Sequence, residues 1–274
     1  MPSVHIQDAE IAYTDSGQGP AVLFVQGVGL AGRAWSPQTD ELSRDHRCIH
    51  FDNRGVGASR GDTSKLSIDQ MARDALALLD ALQITRAHWV GHSLGGVIVQ
   101  RMALIAPERA ASLAFMCTFA GGRDLLRPSA RLIWLGMCSR IGSASMRRRA
   151  FARLIMPDDY LAARGPESVM TELERVFGRP LWDAPAIADV QLRALRTHDE
   201  RERLSELAAL RCIVMSGRQD PIATHAANAA LATGLGAKHR IWGDASHALP
   251  IQHARAVNAA LRAHFAVGQA AGQK

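Results

Sequence analysis

A chain of 274 residues that is 47% hydrophobic and 21% charged can bury a large core, and an α/β fold of this length commonly forms one domain. No apolar run approaches the roughly 20 residues that a membrane span needs, and Met1 to Tyr13 alternates polar and apolar residues without a signal-peptide core, so a cytoplasmic protein is expected. The formal charge of +6 comes almost wholly from scattered arginines, because Lys65, Lys238 and Lys274 are the only lysines. No basic face interleaved with aromatics is visible, so nucleic acid is not expected as a partner, nor, without a spanning run, is a membrane, only a small-molecule substrate on a monomer or homodimer. Arg147-Arg148-Arg149, the one dense run, reads as the wet face of a helix.

Val4 to Ile6 and Ile11 to Tyr13 read as short strands joined at Asp8-Ala9, and the turn-rich Asp15 to Pro20 follows. Ala21 to Val25 is a continuous apolar strand, as expected of one buried on both faces of a parallel sheet. It ends in Gln26-Gly27-Val28-Gly29-Leu30-Ala31-Gly32, where Gly27, Gly29 and Gly32 satisfy G-x-G-x-x-G and Asp52 lies about 20 residues on, as in dinucleotide binding. That motif needs its helix to begin inside the glycine run, so that the N-terminus meets the pyrophosphate. Here Ser36 as N-cap and Pro37 at the first helical position start the helix too late. Asp52 is also embedded in a second glycine turn, Asp52-Asn53-Arg54-Gly55-Val56-Gly57-Ala58-Ser59, so no nucleotide cofactor is expected.

Arg47 to Phe51 is the next strand and Ser67 to Leu82 the next helix, with Ser67 and Gln70 as a capping box and Ile68, Met71, Ala75, Leu79 and Leu82 on one face. Ala87 to Val90 then runs into Gly91-His92-Ser93-Leu94-Gly95, a G-x-S-x-G stretch followed by a helix from Leu94 to Ile105. Glycines flanking the serine let strand and helix pass closely while the serine takes a strained turn that exposes its hydroxyl. A tight glycine turn without chemistry is the bland alternative, and the rest of the chain must supply a base and an acid. A strand at Ser112 to Thr118 completes a β-α-β alternation that implies a parallel sheet with helices on both faces.

From about Arg123 to Leu207 no strand-like run occurs, only helical stretches broken by prolines at 128, 157, 166, 180 and 185. This predicts a core of residues 1–122 and 208–274 with a helical cap inserted at 123–207. Trp134, Met137 and Trp182 are candidates for a pocket wall, core packing being the plainer reading of any one such residue. Cys212 to Ser216, Thr224 to Leu235, Lys238 to Trp242 and Pro250 to Phe265 then read as strand, helix, strand and amphipathic helix, and the tail from Gly268 as frayed. Cys48, Cys117, Cys138 and Cys212 show no metal-type spacing; three of them fall in predicted strands, and all read as reduced.

Over nearly its whole length the chain resembles the α/β-hydrolase superfamily. Four motifs carry the likeness in order: the glycine loop with Trp35 downstream, the Asp52 to Ser59 turn, the elbow at Ser93, and the late Asp220 and His247. The resemblance implies an eight-stranded, mostly parallel sheet and a Ser93, Asp220, His247 triad. The residues themselves agree: a serine hydroxyl needs a base within reach, and most of the eleven histidines lie in or beside strands or, like His92, should point away. His247 instead sits on a polar loop at the C-terminal end of the last strand, the edge where the elbow emerges. Asp220 reaches the same edge and would hold the imidazole tautomer, while Asp244, three residues from His247, more plausibly shapes the turn. By the resemblance, oxyanion donors are the backbone N–H groups of Leu94 and Val28, with Gln26 standing where the family usually has histidine. The expected activity is cofactor-free and metal-free cleavage of a carboxylic ester or lactone through an acyl-enzyme, most like that of 3-oxoadipate enol-lactonase-like enzymes and small carboxylesterases. C–C bond hydrolysis, thioester cleavage or perhydrolysis by the same triad, or a ligand-binding receptor that keeps it, are the alternatives.

Overall fold

The computed structural model describes residues 1–6, 8–125 and 128–266; the tail expected to fray from Gly268 lies outside them. Nine strands form one mixed sheet: β1 (Ser3–Ile6), β2 (Ala9–Ser16), β3 (Ala21–Val25), β4 (Arg47–Phe51), β5 (Arg60–Gly61), β6 (Ala87–His92), β7 (Ala110–Met116), β8 (Cys212–Gly217) and β9 (Lys238–Trp242). Their order is β1-β2-β4-β3-β6-β7-β8-β9, with β5 paired to β2 off that path. The expected eight strands are therefore the main path, and the ninth is a two-residue pairing of Arg60 and Gly61 with Glu10 and Ala9, too short to leave a pattern in sequence. Pairing is parallel from β4 through β9 and antiparallel around β2. The central strands are continuous apolar runs because helices cover both faces: β3 is buried from Val22 to Val25 and β6 throughout.

The helices of the sheet are α1 (Ser36–Leu42), α2 (Ile68–Ala81) and α3 (Leu94–Ile105), and, after the insertion described next, α9 (His225–Gly234), α10 (Leu249–Gln252) and α11 (Ala254–Ala266). Helix α1 does start after Trp35 with Pro37 in its first turn, but Ser36 is its first residue and makes no side-chain cap. Ser67 caps α2 by accepting from Gln70 N, whereas the Gln70 amide turns to Asp74, so only half of the capping box forms. The last amphipathic run is broken at His253, because the Gln252 side chain reaches back to Ser246 N and Asp244 O and ties α10 to the loop before it.

Between β7 and β8 lie α4 (Ala130–Cys138), α5 (Ala144–Ile155), α6 (Asp158–Arg164), α7 (Pro166–Phe177) and α8 (Ile187–Arg196); among the described residues the one strand-like contact there is a bridge between Gly121 and Asp199. Helices α5, α6 and α7 build an apolar cluster of their own, which includes Met170, Leu173 and Phe177 and takes in Ala34 and Ala248 from the core, whereas Ala194 and Leu195 of α8 pack into the main core. Among the described residues no helix is long and apolar enough to cross a membrane.

Candidate active site

The elbow forms because two close approaches demand glycine. A Cβ on Gly91 would sit 2.4 Å from Gly95 O, and one on Gly95 would sit 2.0 Å from Val25 O, so any larger residue would push β6, α3 and β3 apart. Ser93 between them has φ +53° and ψ −122°, a strained backbone conformation for a serine. The turn is pinned from the neighbouring strand: Ser93 N donates to Met116 O at 3.0 Å, and the Thr118 hydroxyl donates to Ser93 O at 2.6 Å.

Asp220 and His247 meet at this same edge of the sheet. His247 Nδ1 lies 2.8 Å from Asp220 Oδ2, with both side chains buried. The other carboxylate oxygen accepts from Ile222 N at 2.8 Å and Ala223 N at 2.9 Å, which fixes the carboxylate plane. Asp244 points elsewhere: its side chain is exposed and pairs with His253 Nε2 at 3.2 Å. Among the described residues the Ser93 hydroxyl has no hydrogen-bond partner, so Ser93 and His247 share an edge without a direct bond between them. The N–H groups of Val28 and Leu94 likewise have no partner among the described residues, and a Cβ on Gly27 would sit 3.1 Å from Ser93 Cβ, so the glycine loop runs beside the serine.

Three supporting contacts had no signal in the sequence beyond residue type. Asp52, whose spacing from the glycines matches a dinucleotide-binding motif, accepts from Gly32 N at 2.7 Å and Ala58 N at 2.9 Å and so buttresses the glycine loop. Gln191, fully buried on α8, accepts from Gly29 N at 2.7 Å, so the insertion holds the loop from above. His92, expected to point away, is buried and joins three loops: its Nε2–H donates to the His247 carbonyl at 2.8 Å, and its Nδ1 lies 3.1 Å from Gln26 Oε1. Gly27 N donates in turn to Gln26 Oε1 at 2.7 Å. Burial, with the nearby His247 ring adding to it, pushes the His92 pKa down to about 3, so this imidazole stays neutral and the single proton on Nε2 serves the carbonyl.

The pocket expectation fits less well. Trp134, Met137 and Trp182 are exposed and line none of the described cavities. Apolar type alone could not tell an exposed cap residue from a wall. The cavity beside the Asp220 and His247 loops, about 350 Å³, is walled instead by Arg131, Arg153, Met156, Gln219, Pro221 and Ser246 among others. Cys117, expected inside a strand, lies one residue past β7 at φ +47° and donates its thiol to Ser246 O at 3.7 Å.

The chain belongs to the α/β-hydrolase fold family, whose model matches residues 20–134. A putative carbamate hydrolase RutD from Variovorax paradoxus is 30% identical over 225 residues, 79% of this chain and 80% of that one. The RutD protein of Azorhizobium caulinodans, also described as a putative carbamate hydrolase, is 39% identical over 127 residues, and the match spans about half of each protein, 46% of this chain and 48% of that one. The enol-lactonase of Burkholderia xenovorans superposes with a TM-score of 0.81 over 97% of this chain and all of that one at 24% identity, a likeness of fold.

Proposed function

We propose that the chain is a serine hydrolase that cleaves a carboxylic ester or enol-lactone through an acyl-enzyme on Ser93. The observation that carries this reading is the 2.8 Å contact of His247 Nδ1 with Asp220 at the sheet edge where the strained Ser93 emerges. In the reaction Ser93 Oγ attacks the acyl carbon while His247 Nε2 takes its proton, and Asp220 stabilises the imidazolium that results. The oxyanion falls to the free N–H groups of Val28 and Leu94. Collapse breaks the bond to the alkoxide or enolate, which leaves with the proton from His247; water activated by the same ring then releases the acid and regenerates Ser93. The helices of residues 123–207 act as the cap, tied to the oxyanion loop through Gln191 and to the His247 loop where Ala248 N donates to Ile155 O at 2.9 Å.

Carbamate cleavage is the second reading, favoured by the description of the relatives at 30% and 39% identity. It uses the same acyl transfer with a nitrogen leaving group. The test is labelling with a fluorophosphonate followed by a panel of activated esters, lactones and carbamates. Wild type is expected to be labelled on Ser93 and to turn over esters or lactones fastest. Ser93→Ala, folded by circular dichroism, should lose labelling and on the order of 10⁴ or more in kcat. A folded Ser93→Ala protein with full activity would remove the nucleophile from the mechanism, and fastest turnover of carbamates would favour the second reading.

A further inference from the structure

The first helices of the insertion carry an apolar surface that the rest of the fold leaves open. Of the nine residues of α4 only Leu135 is buried. Ile133, Trp134 and Met137 are 50%, 63% and 49% exposed, and at i, i+1 and i+4 they share one helix face. Ile141, 68% exposed, continues that face one turn on, and Met146, 56% exposed, lies over the turn at Gly142. The Arg147 guanidinium sits 5.6 Å above the ring of Trp182.

The charge along this stretch has one sign. From Pro128 to Pro157 the sequence holds six arginines, Arg131, Arg140, Arg147, Arg148, Arg149 and Arg153, and no carboxylate. Acids outside the stretch meet four of them: Asp158 pairs with Arg131 and Arg153, Asp189 with Arg140, and Glu167 and Glu174 with Arg148. Among the described residues Arg147 and Arg149 have no ion pair.

We propose that this face docks on an anionic lipid surface, with Ile133, Trp134, Met137 and Ile141 entering the headgroup boundary and the exposed Arg149, which shares a face of α5 with Met146, meeting lipid phosphate. An exposed helix face of aromatic and aliphatic residues with arginines beside it is the composition that binds such an interface in the membrane plane. A second copy is disfavoured as the occupant, because a symmetric pairing of this face sets one arginine-rich stretch against another. Docking departs from the expectation of no membrane partner, which rested on the lack of a spanning run; an interfacial helix needs none. The proposal stands apart from the assignment of Ser93.

The experiment is co-sedimentation of the full chain with vesicles of phosphatidylglycerol and phosphatidylcholine in equal parts, and of phosphatidylcholine alone. Binding to the mixed vesicles is expected to be at least about tenfold tighter and to weaken as salt is raised. Ile133→Ser/Ile141→Ser should cut partitioning about tenfold, and Arg149→Glu should reduce the preference for phosphatidylglycerol about fivefold or more, with melting temperatures and ester turnover in solution unchanged. Failure of the folded wild type to bind mixed vesicles overturns the proposal, as does undiminished binding by the isoleucine variant. A dimer in sedimentation equilibrium that the isoleucine variant dissolves would make a second copy the occupant and overturns it too. Binding to soluble polyglutamate as tight as to vesicles would reduce the face to a site for acidic polypeptide, with the same consequence.

Discussion

Asp220 and Asp244 are both acids close in sequence or space to His247, yet only one is built to serve it. Asp220 presents one oxygen to Nδ1 and has the other held by two backbone N–H groups, whereas Asp244 faces solvent and His253. Asp220→Asn should therefore leave the fold intact and offer Nδ1 an amide that favours the wrong tautomer, with a loss of roughly 10³ to 10⁴ in kcat. Asp244→Asn should stay within about tenfold of wild type, since the amide largely mimics a turn-forming side chain. Measuring kcat for both variants on one activated ester decides the matter, and a crippled Asp244→Asn beside a near-normal Asp220→Asn would reassign the acid. The contact of His247 with Asp220 rather than Asp244 is legible in sequence because Asp220 follows a strand and Asp244 lies in the histidine's own loop. The place of His92 was not legible: a residue next to the serine was expected to turn away, and only the fold shows its ring spanning the Gln26 and His247 loops.

Elements announced themselves where local physics and tertiary burial agree. The apolar runs at Ala21 to Val25 and Arg47 to Phe51 are strands within their expected bounds, because a strand covered on both faces has no need of polar alternation. Boundaries slipped where a long-range contact decides them, as at His253, where Gln252 turns back to the preceding loop. The contact between Gln191 and Gly29, 162 residues apart, could not be read from sequence, since one glutamine on an amphipathic helix has no distinguishing pattern. It is nonetheless the point where the insertion grips the loop that carries the Val28 N–H. Gln191→Leu removes the acceptor and leaves Gly29 N–H buried without a partner, a defect that costs about 1 to 3 kcal/mol. The expected outcome is a fall in kcat of about tenfold or more with smaller change in KM, because a displaced oxyanion donor harms the transition state more than binding. Gln191→Glu keeps the acceptor and should recover most of the rate; equal loss in both variants would show that Gln191 serves packing alone.

At the scale of the whole molecule the sheet has two unlike ends. The C-terminal edge of the strands carries the candidate site, and the opposite end buries a group of histidines: His46 and His88 pack on Phe265, and His264 donates to Leu113 O at 3.0 Å. Burial, with the neighbouring His46 and His264 rings and the Arg211 and Arg86 guanidiniums adding to it, pushes the His88 pKa down to about 4, and burial with Arg211 does the same to His264. The folded protein thus keeps both rings neutral at pH values where the unfolded chain takes up protons. Unfolding gains protons as pH falls from about 6.5, so stability is full above that value and is lost progressively down to about 4, by up to about 3 kcal/mol per ring. Urea denaturation at pH 7.5, 6, 5 and 4.5 should show this decline, with ester turnover at pH 7.5 unrelated to it. His88→Gln, which cannot titrate, should be less stable at neutral pH yet show a shallower decline. A free energy of unfolding that stays flat from pH 7.5 to 4.5, or an unchanged slope in His88→Gln, would mean that these rings are hydrated enough to protonate within the folded state.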